Sequence, residues 1–152
     1  MYAVVSDVEK YVDFLPWCKK SDVTSRTSDH LLADLVVGFP PLVESYTSSV
    51  TLVKPRLIRA ESTKGKLFNR LITEWHFAPG LKGISNSCIV HFHVSFDFRS
   101  VVTSQLAHVF FNEVVRAMTG AFYAEAKNRY GQESVPSRKI AILPNSDDSK
   151  PL

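Results

Sequence analysis

The chain has few cysteines and no long apolar run, and each shortage excludes a class of protein. Two cysteines, Cys18 and Cys88, stand far apart in 152 residues, so they form neither a disulfide scaffold nor the four-ligand shell of a structural zinc site. We expect both thiols to be reduced, in an intracellular compartment. No stretch reaches the roughly 20 apolar residues that span a bilayer. The chain opens inside a helical pattern, with neither an Arg-rich presequence nor a signal peptide.

A strong excess of one charge is also lacking. The formal net charge is +3, which is too small to predict nucleic-acid binding but would not repel an anionic membrane surface. Apolar residues are abundant, at 45%, and ten of the residues are phenylalanine. A domain of this length removes roughly 70% of its unfolded surface from water. The composition therefore predicts a single domain with a substantial core.

Six segments alternate apolar and polar residues or are rich in β-branched residues, as strands are. Prolines and turn residues separate them. They are Lys20–Thr27, His30–Phe39, Leu42–Val53, Leu57–Ser62, Leu71–Phe77 and Cys88–Phe98.

Helical spacing occurs at both ends of this β-rich region. Apolar residues recur on one side from Met1 to Lys10, and the apolar face continues to Leu15. A long apolar helix is predicted from about Ser100 to Tyr130, with Gly131 as its C-cap. We expect residues 1–130 to form one domain and residues 131–152, which lack periodicity, to form a disordered tail.

This order predicts an α+β fold in which a curved antiparallel sheet wraps around a long C-terminal helix. The apolar faces of the strands point toward that helix and form either an ordinary core or a ligand cavity. A strongly curved sheet facing one helix encloses more volume than the side chains of one helix fill, which favours a cavity.

The sequence offers little for catalysis or metal binding. His91 and His93 lie on the outer face of their strand, and two histidines without a third ligand do not predict a metal site. No Gly-x-Ser-x-Gly motif frames a nucleophile. Two lysine pairs, at positions 19–20 and 64 and 66, are either solvated or attracted to anionic phospholipid heads. We therefore predict no enzyme activity and no metal.

Six short motifs resemble, in order and spacing, the mitochondrial coenzyme Q-binding proteins of the START and polyketide cyclase-like superfamily. The resemblance extends from Met1 to about Tyr130. The motifs are Pro16-Trp17-Cys18-Lys19-Lys20-Ser21, Val37-Gly38-Phe39-Pro40-Pro41, Tyr46-Thr47-Ser48, Gly65-Lys66-Leu67-Phe68-Asn69, Trp75-x-Phe77-x-Pro79-Gly80 and Phe96-x-Phe98-Arg99-Ser100.

The resemblance implies a helix-grip (START/Bet v 1-like) fold whose apolar cavity holds ubiquinone as a bound ligand, with no cofactor required. It implies a carrier or chaperone of the quinone that supports respiratory electron transport and coenzyme Q biosynthesis. It also implies peripheral contact with the mitochondrial inner membrane on the matrix side. The fold ordinarily begins with a strand that pairs with the last one. We expect that strand to be missing here and the edge of Cys88–Phe98 to be exposed.

Strand alternation and this resemblance together predict the residues that line the cavity. Tyr46 is the expected donor to a quinone carbonyl, because its hydroxyl is the best-placed inward donor. Glu44 falls on the same face, and either a bulge turns it outward or it sits at the cavity mouth. The predicted cavity residues are Leu35, Val37, Phe39, Tyr46, Val50, Thr73, Trp75, Phe92, Val94, Phe96, Leu106, Phe110 and Met118.

Two other functions stay open at this point. A cyclase-like enzyme of the same superfamily would close a polyketide chain, and it would need acids or bases inside the cavity. A ribosome-associated inhibitor, as among bacterial relatives of this family, would need a more basic surface. None of these patterns predicts an oligomeric state.

Overall fold

The computed structural model describes residues 1–39, 42–63 and 65–136. For Phe39, Leu42 and residues 101–111 it describes the backbone alone.

A sheet of six antiparallel strands forms the body of the fold, in the order β1-β2-β3-β4-β5-β6. The predicted bounds of β2, β3, β4 and β6 are confirmed, and those of β1 differ by a residue or two. Within the described residues, β6 pairs with β5 alone. The strands are β1 (Cys18–Arg26), β2 (His30–Phe39), β3 (Leu42–Val53), β4 (Leu57–Ser62), β5 (Phe68–Pro79) and β6 (Cys88–Phe98).

The predicted bounds of β5 were wrong at both ends. The strand begins at Phe68 and runs to Pro79, rather than from Leu71 to Phe77. The pairing with β6 is irregular between Phe68 and Arg70. Such an irregularity shifts the alternation by one residue, so polar Asn69 and Arg70 hid the start of the strand.

The N-terminal helical segment is broken rather than continuous. It consists of α1 (Tyr2–Ser6), a 3₁₀ turn (Val8–Lys10) and α2 (Tyr11–Phe14). The helical segment predicted from Met1 to Leu15 is confirmed as a set of short helices, and the first of them ends because Asp7 leaves the helical region, with φ −88° and ψ 64°. Pieces this short are held by packing rather than by helix propensity, and the side chains of Val4 and Val5 are fully buried.

The long helix α3 (Val101–Tyr130) confirms the predicted C-terminal helix. Gly131 ends it in the left-handed region, at φ 86°, where the N–H of Gly131 donates to the carbonyl of Lys127 over 2.8 Å. A C-cap of this kind favours glycine because other residues carry a Cβ that clashes there. No helix in the described ranges is long and apolar enough to cross a membrane.

Arg129 fastens α3 to the N-terminal segment. Its guanidinium contacts the carboxylates of Asp7 and Glu125, each over 2.7 Å. It also lies 6.0 Å from the centre of the Phe14 ring, within cation–π range. These contacts hold the short helices against the end of α3, so that they close one side of the space inside the sheet.

The predicted tail lies mostly outside the described residues, at positions 137–152. Where the structure does describe its first residues, the hydroxyl of Ser134 donates to the carbonyl of Asn86 over 2.7 Å. Disorder of the tail stays a prediction.

Candidate ligand cavity

A cavity of about 320 Å³ lies between the concave face of the sheet, α3 and the N-terminal segment. This volume is at the lower end of the range for sites that bind drug-sized ligands. Residues from the cavity prediction that line it are Leu35, Val37, Tyr46, Val50, Thr73, Trp75, Phe92, Val94, Phe96 and Met118. The side chains of the other three, Phe39, Leu106 and Phe110, lie outside the described residues. Contact of any of them with a ligand stays a prediction.

Strand register explains why these residues meet on one wall. Leu35 of β2 pairs with Tyr46 of β3, and Trp75 of β5 pairs with Phe92 of β6. Because residues directly opposite each other on antiparallel strands project to the same face, one period-two pattern per strand builds a continuous surface.

Aromatic rings close one end of the cavity. The Trp75 ring lies 4.4 Å from that of Phe92 and 4.8 Å from that of Phe122 on α3, measured between centroids. Phe122 also meets the ring of Tyr11 at 5.3 Å. Trp75 and Phe122 are almost fully buried, so this end is a packed aromatic floor.

The N-terminal segment contributes a part of the wall that the sequence interpretation missed. Val5, Val8, Tyr11 and Leu15 all line the cavity. Their apolar spacing was visible, but it was assigned to a cap over the sheet and not to the cavity wall. The Tyr11 hydroxyl donates to the carbonyl of Val5, and burial raises the pKa of Tyr11 well above its usual value.

Trp17 also lines the cavity, in an unusual backbone conformation. Its φ is 65°, in the left-handed region, where a residue with a Cβ costs roughly 1–2 kcal/mol. Its carbonyl accepts a hydrogen bond from the N–H of Gly38 over 2.8 Å. This contact ties the residue before β1 to the end of β2 and holds the indole at the cavity wall.

Glu44 faces inward at the cavity wall. Its pairing with Val37 is in regular register, so no bulge turns it outward. The carboxylate is 7% exposed and accepts hydrogen bonds from the backbone N–H groups of Ser45 and Lys66, each over 2.9 Å, and from that of Leu67. Glu44 therefore anchors the turn between β4 and β5 to β3, and its oxygens are already occupied.

Gly65 allows that turn to fold against β5. A Cβ at this position would lie 2.7 Å from the ring of Phe68, and Phe68 is itself a cavity residue that the prediction missed. Its ring meets that of Tyr46 edge-to-face at 5.4 Å. The glycine is needed because the backbone approaches an aromatic ring closely here.

Hydroxyl groups supply most of the remaining polarity of the wall. Tyr46, Ser48, Ser62 and Thr73 all line the cavity, and Ser48 and Ser62 are each 3% exposed. Burial raises the pKa of the Tyr46 hydroxyl, and nearby Cys18 and Glu44 raise it further. The phenol therefore stays protonated at physiological pH and can donate a hydrogen bond.

The outer face of the sheet carries charged and polar side chains. His91 and His93 are exposed there, and Arg59 pairs with Glu61 at 2.7 Å and with Glu74 at 3.0 Å. The described residues contain no group of three side chains placed to hold a metal ion.

Comparison with known proteins gives the same picture of the fold. A family model described as polyketide cyclase / dehydrase and lipid transport matches residues 1–123. The aromatase/cyclase Zhui from Streptomyces sp. R1128 superposes with a TM-score of 0.71 at 17% identity, over 84% of this chain and 85% of that one. At this identity the likeness shows the fold alone, and it confirms the predicted helix-grip architecture.

The sequence relatives include coenzyme Q-binding proteins and bacterial toxins. The chain is 52% identical to the mitochondrial coenzyme Q-binding protein of Drosophila melanogaster, over 92% of this chain and 58% of that protein. It is 30% identical to the ribosome association toxin of Vibrio cholerae, over 87% of this chain and 89% of the toxin. The chain thus spans less than two thirds of the length of the Drosophila melanogaster protein.

Proposed function

The chain belongs to the polyketide cyclase / dehydrase and lipid transport family and, within it, to the coenzyme Q-binding proteins, and on that basis we propose that it binds ubiquinone in the described cavity. The observation that carries the proposal is a cavity with apolar walls and a small number of hydroxyl groups. A quinone matches this chemistry, because its ring and isoprenoid tail are apolar and its two carbonyls accept hydrogen bonds.

The role we propose is carriage or chaperoning of the quinone, in support of respiratory electron transport and coenzyme Q biosynthesis. A cavity of about 320 Å³ is too small for the whole of a long isoprenoid tail, so part of the ligand stays outside. Such a site releases its ligand to a membrane more readily than a site that encloses all of it.

A cyclase activity would need a free acid or base in the cavity. Glu44 is the carboxylate at the described wall, and three backbone N–H groups already occupy it. Burial raises the pKa of both Tyr46 and Cys18, which disfavours their anions at neutral pH. These features favour binding over catalysis.

Action on ribosomes is the alternative raised by the bacterial toxins in the same family. Binding to ribosomal RNA would rest on a strongly basic surface. The net charge of +3 and the ion pairs of Arg59 on the outer face favour the quinone proposal instead.

Organic extraction of the purified protein tests the proposal. We expect the extract to show the absorbance of ubiquinone, and the protein stripped of it to bind added short-tailed ubiquinone in proportion to the protein present. The control is protein from the same cells that was denatured before purification. Any quinone in its extract was carried over with membrane and was not bound in the cavity. A cavity that holds no quinone after purification and takes up none on addition would contradict the proposal.

We also propose that the protein contacts the matrix side of the mitochondrial inner membrane with one rim of the cavity. Exposed cations lie along this rim: the side chain of Lys19 packs over Gly38, and the backbone N–H of Lys66 donates to the carboxylate of Glu44. The N–H of Arg99 donates to the carbonyl of Leu67 over 3.0 Å.

An apolar residue lies among these cations. Val43 pairs with Gly38 and is 53% exposed. Cations around an exposed apolar side chain fit an anionic phospholipid surface, which attracts the charges and accepts the apolar group.

Reversal of two rim charges, in the double variant Lys19→Glu and Lys66→Glu, is expected to weaken binding to anionic vesicles at least about 30-fold. The estimate follows from roughly 1 kcal/mol for each lysine near the surface, plus the added repulsion. Co-sedimentation with vesicles of anionic phospholipid and of neutral phospholipid measures it. The control is the double variant Lys54→Glu and Arg56→Glu, just beyond the opposite end of β3, which makes the same change in net charge and should bind as the unaltered protein does. Equal loss in both variants would mean that net charge and not this rim governs binding.

A further inference from the structure

Ser62 carries a buried hydroxyl without a partner. Its side chain is 3% exposed and lines the cavity, and Oγ has no hydrogen-bond partner among the described residues. Leaving such a group unpaired costs roughly 1–3 kcal/mol, and few buried polar groups in folded proteins are left so. An unpartnered donor aimed into a cavity indicates a ligand atom that completes it.

Two further hydroxyls lie beside it on the same wall. Ser49 of β3 pairs with Glu61 of β4, so continuing the antiparallel register places Ser48 opposite Ser62. Tyr46 lies two residues from Ser48 on β3 and therefore projects to the same face. The Ser48 and Tyr46 hydroxyls donate no hydrogen bond to any residue that the structure describes.

The other polar side chains near this patch are engaged elsewhere. Glu44 is held by backbone N–H groups, and the Tyr11 hydroxyl donates to the carbonyl of Val5. The wall around the patch is apolar, with Val50 and Ile58 almost fully buried. Three neighbouring donors in an apolar surround would fix the position of a small polar group on a largely apolar ligand.

We propose that Ser48, Ser62 and Tyr46 form the subsite that receives a carbonyl oxygen of the quinone head group. This inference rests on the proposed function and specifies where and how the head is held. A carbonyl oxygen has two lone pairs and accepts from two of these hydroxyls at once. Hydroxyl groups also accept, so the same subsite holds the hydroxyl of the reduced quinol, and a carrier with this subsite takes either redox form.

Removal of single hydroxyls tests the subsite. Ser62→Ala, Ser48→Ala and Tyr46→Phe are each expected to weaken binding of a ubiquinone with two isoprene units by roughly two- to tenfold, the usual net effect of one hydrogen bond. Ser45→Ala is the matched control, because Ser45 is exposed on the outer face of the same strand and should leave affinity unchanged.

A ligand without carbonyls separates recognition of the head group from packing. The probe is the matching dimethoxytoluene with the same tail, and we expect the three variants to bind it as tightly as the unaltered protein does. Weaker binding of both ligands would mean that the hydroxyls act through the shape of the cavity, and unchanged binding of the quinone would show that they do not contact it. Either result overturns the subsite.

Thermal unfolding of the ligand-free protein gives a second readout for Ser62. Alanine removes an unpaired buried hydroxyl, so the midpoint should stay the same or rise while quinone affinity falls. A lower midpoint with unchanged affinity would assign Ser62 to the fold and overturn its place in the subsite. Should the unaltered protein bind neither ligand, the proposed function itself fails.

Discussion

Replacement of Val94 by aspartate is expected to abolish retention of ubiquinone. Val94 lines the cavity from β6 and pairs with Thr73 of β5. An unpaired carboxylate in an apolar cavity costs several kcal/mol, or else draws water into the space that the ligand fills. About 3 kcal/mol corresponds to a loss of more than 100-fold in affinity. The measurement is quinone content after purification, together with titration of short-tailed ubiquinone.

The neighbouring residue provides a matched control. His93 is exposed on the outer face of the same strand, so His93→Asp introduces the same side chain one position away and should leave binding nearly intact. Leu35→Asp, from β2 on the opposite part of the wall, should repeat the loss. Circular dichroism must show that each variant is folded. If Val94→Asp and His93→Asp lower affinity equally, the assignment of the two faces is wrong.

The expected difference between Val94→Asp and His93→Asp depends on strand alternation. This alternation is clear in the sequence, and most of the correct fold prediction rests on it. Successive residues of a strand project to opposite faces, so one apolar face fixes the register of the whole strand. Phe92 and Val94 could therefore be placed on the cavity wall, and His91 and His93 outside it, before the structure was known. The long helix was equally predictable, because its apolar spacing continues from Ser100 to a glycine that ends it.

The rest of the site depends on features that alternation does not record. Phe68 was missed because the irregular pairing before Arg70 displaces it from the period of its own strand. Ser48 and Ser62 occupy positions whose alternation places them on the inward face of their strands. They were not predicted to line the cavity because serine is polar. Burial of a hydroxyl depends on its neighbours in three dimensions, so only the structure could select these two serines from the others.

Dependence on tail length is the second large effect that we expect. Affinity for ubiquinones should rise over the first few isoprene units and then level off. Each five-carbon unit that enters the cavity adds at most about 4 kcal/mol, from roughly 0.8 kcal/mol for each buried methylene. A drug-sized ligand gains closer to about 0.3 kcal/mol per non-hydrogen atom, or about 1.5 kcal/mol per unit. The first units should therefore each improve affinity by between roughly tenfold and a thousandfold.

The rise must stop because the cavity is finite. A volume of about 320 Å³ is shared between the head group and the tail, so a head group with a few units fills it and a tail of ten units continues outside. Titration of tailless, one-, two- and three-unit ubiquinones against the purified protein measures the rise. All members are presented in the same aqueous buffer below their solubility limits, because lipid would offset the free energy that the tail gains on leaving water.

The position of the plateau distinguishes a carrier from a receptor for the head group alone. A plateau after a few units means that the protein binds the near part of the tail and leaves the remainder in lipid. Transfer between the cavity and the membrane then never exposes the whole ligand to water, which would be the costly step for so apolar a molecule. Equal affinity for the tailless head group and for the tailed forms would mean that the cavity does not bind the isoprenoid, and the carrier proposal would fall with that result.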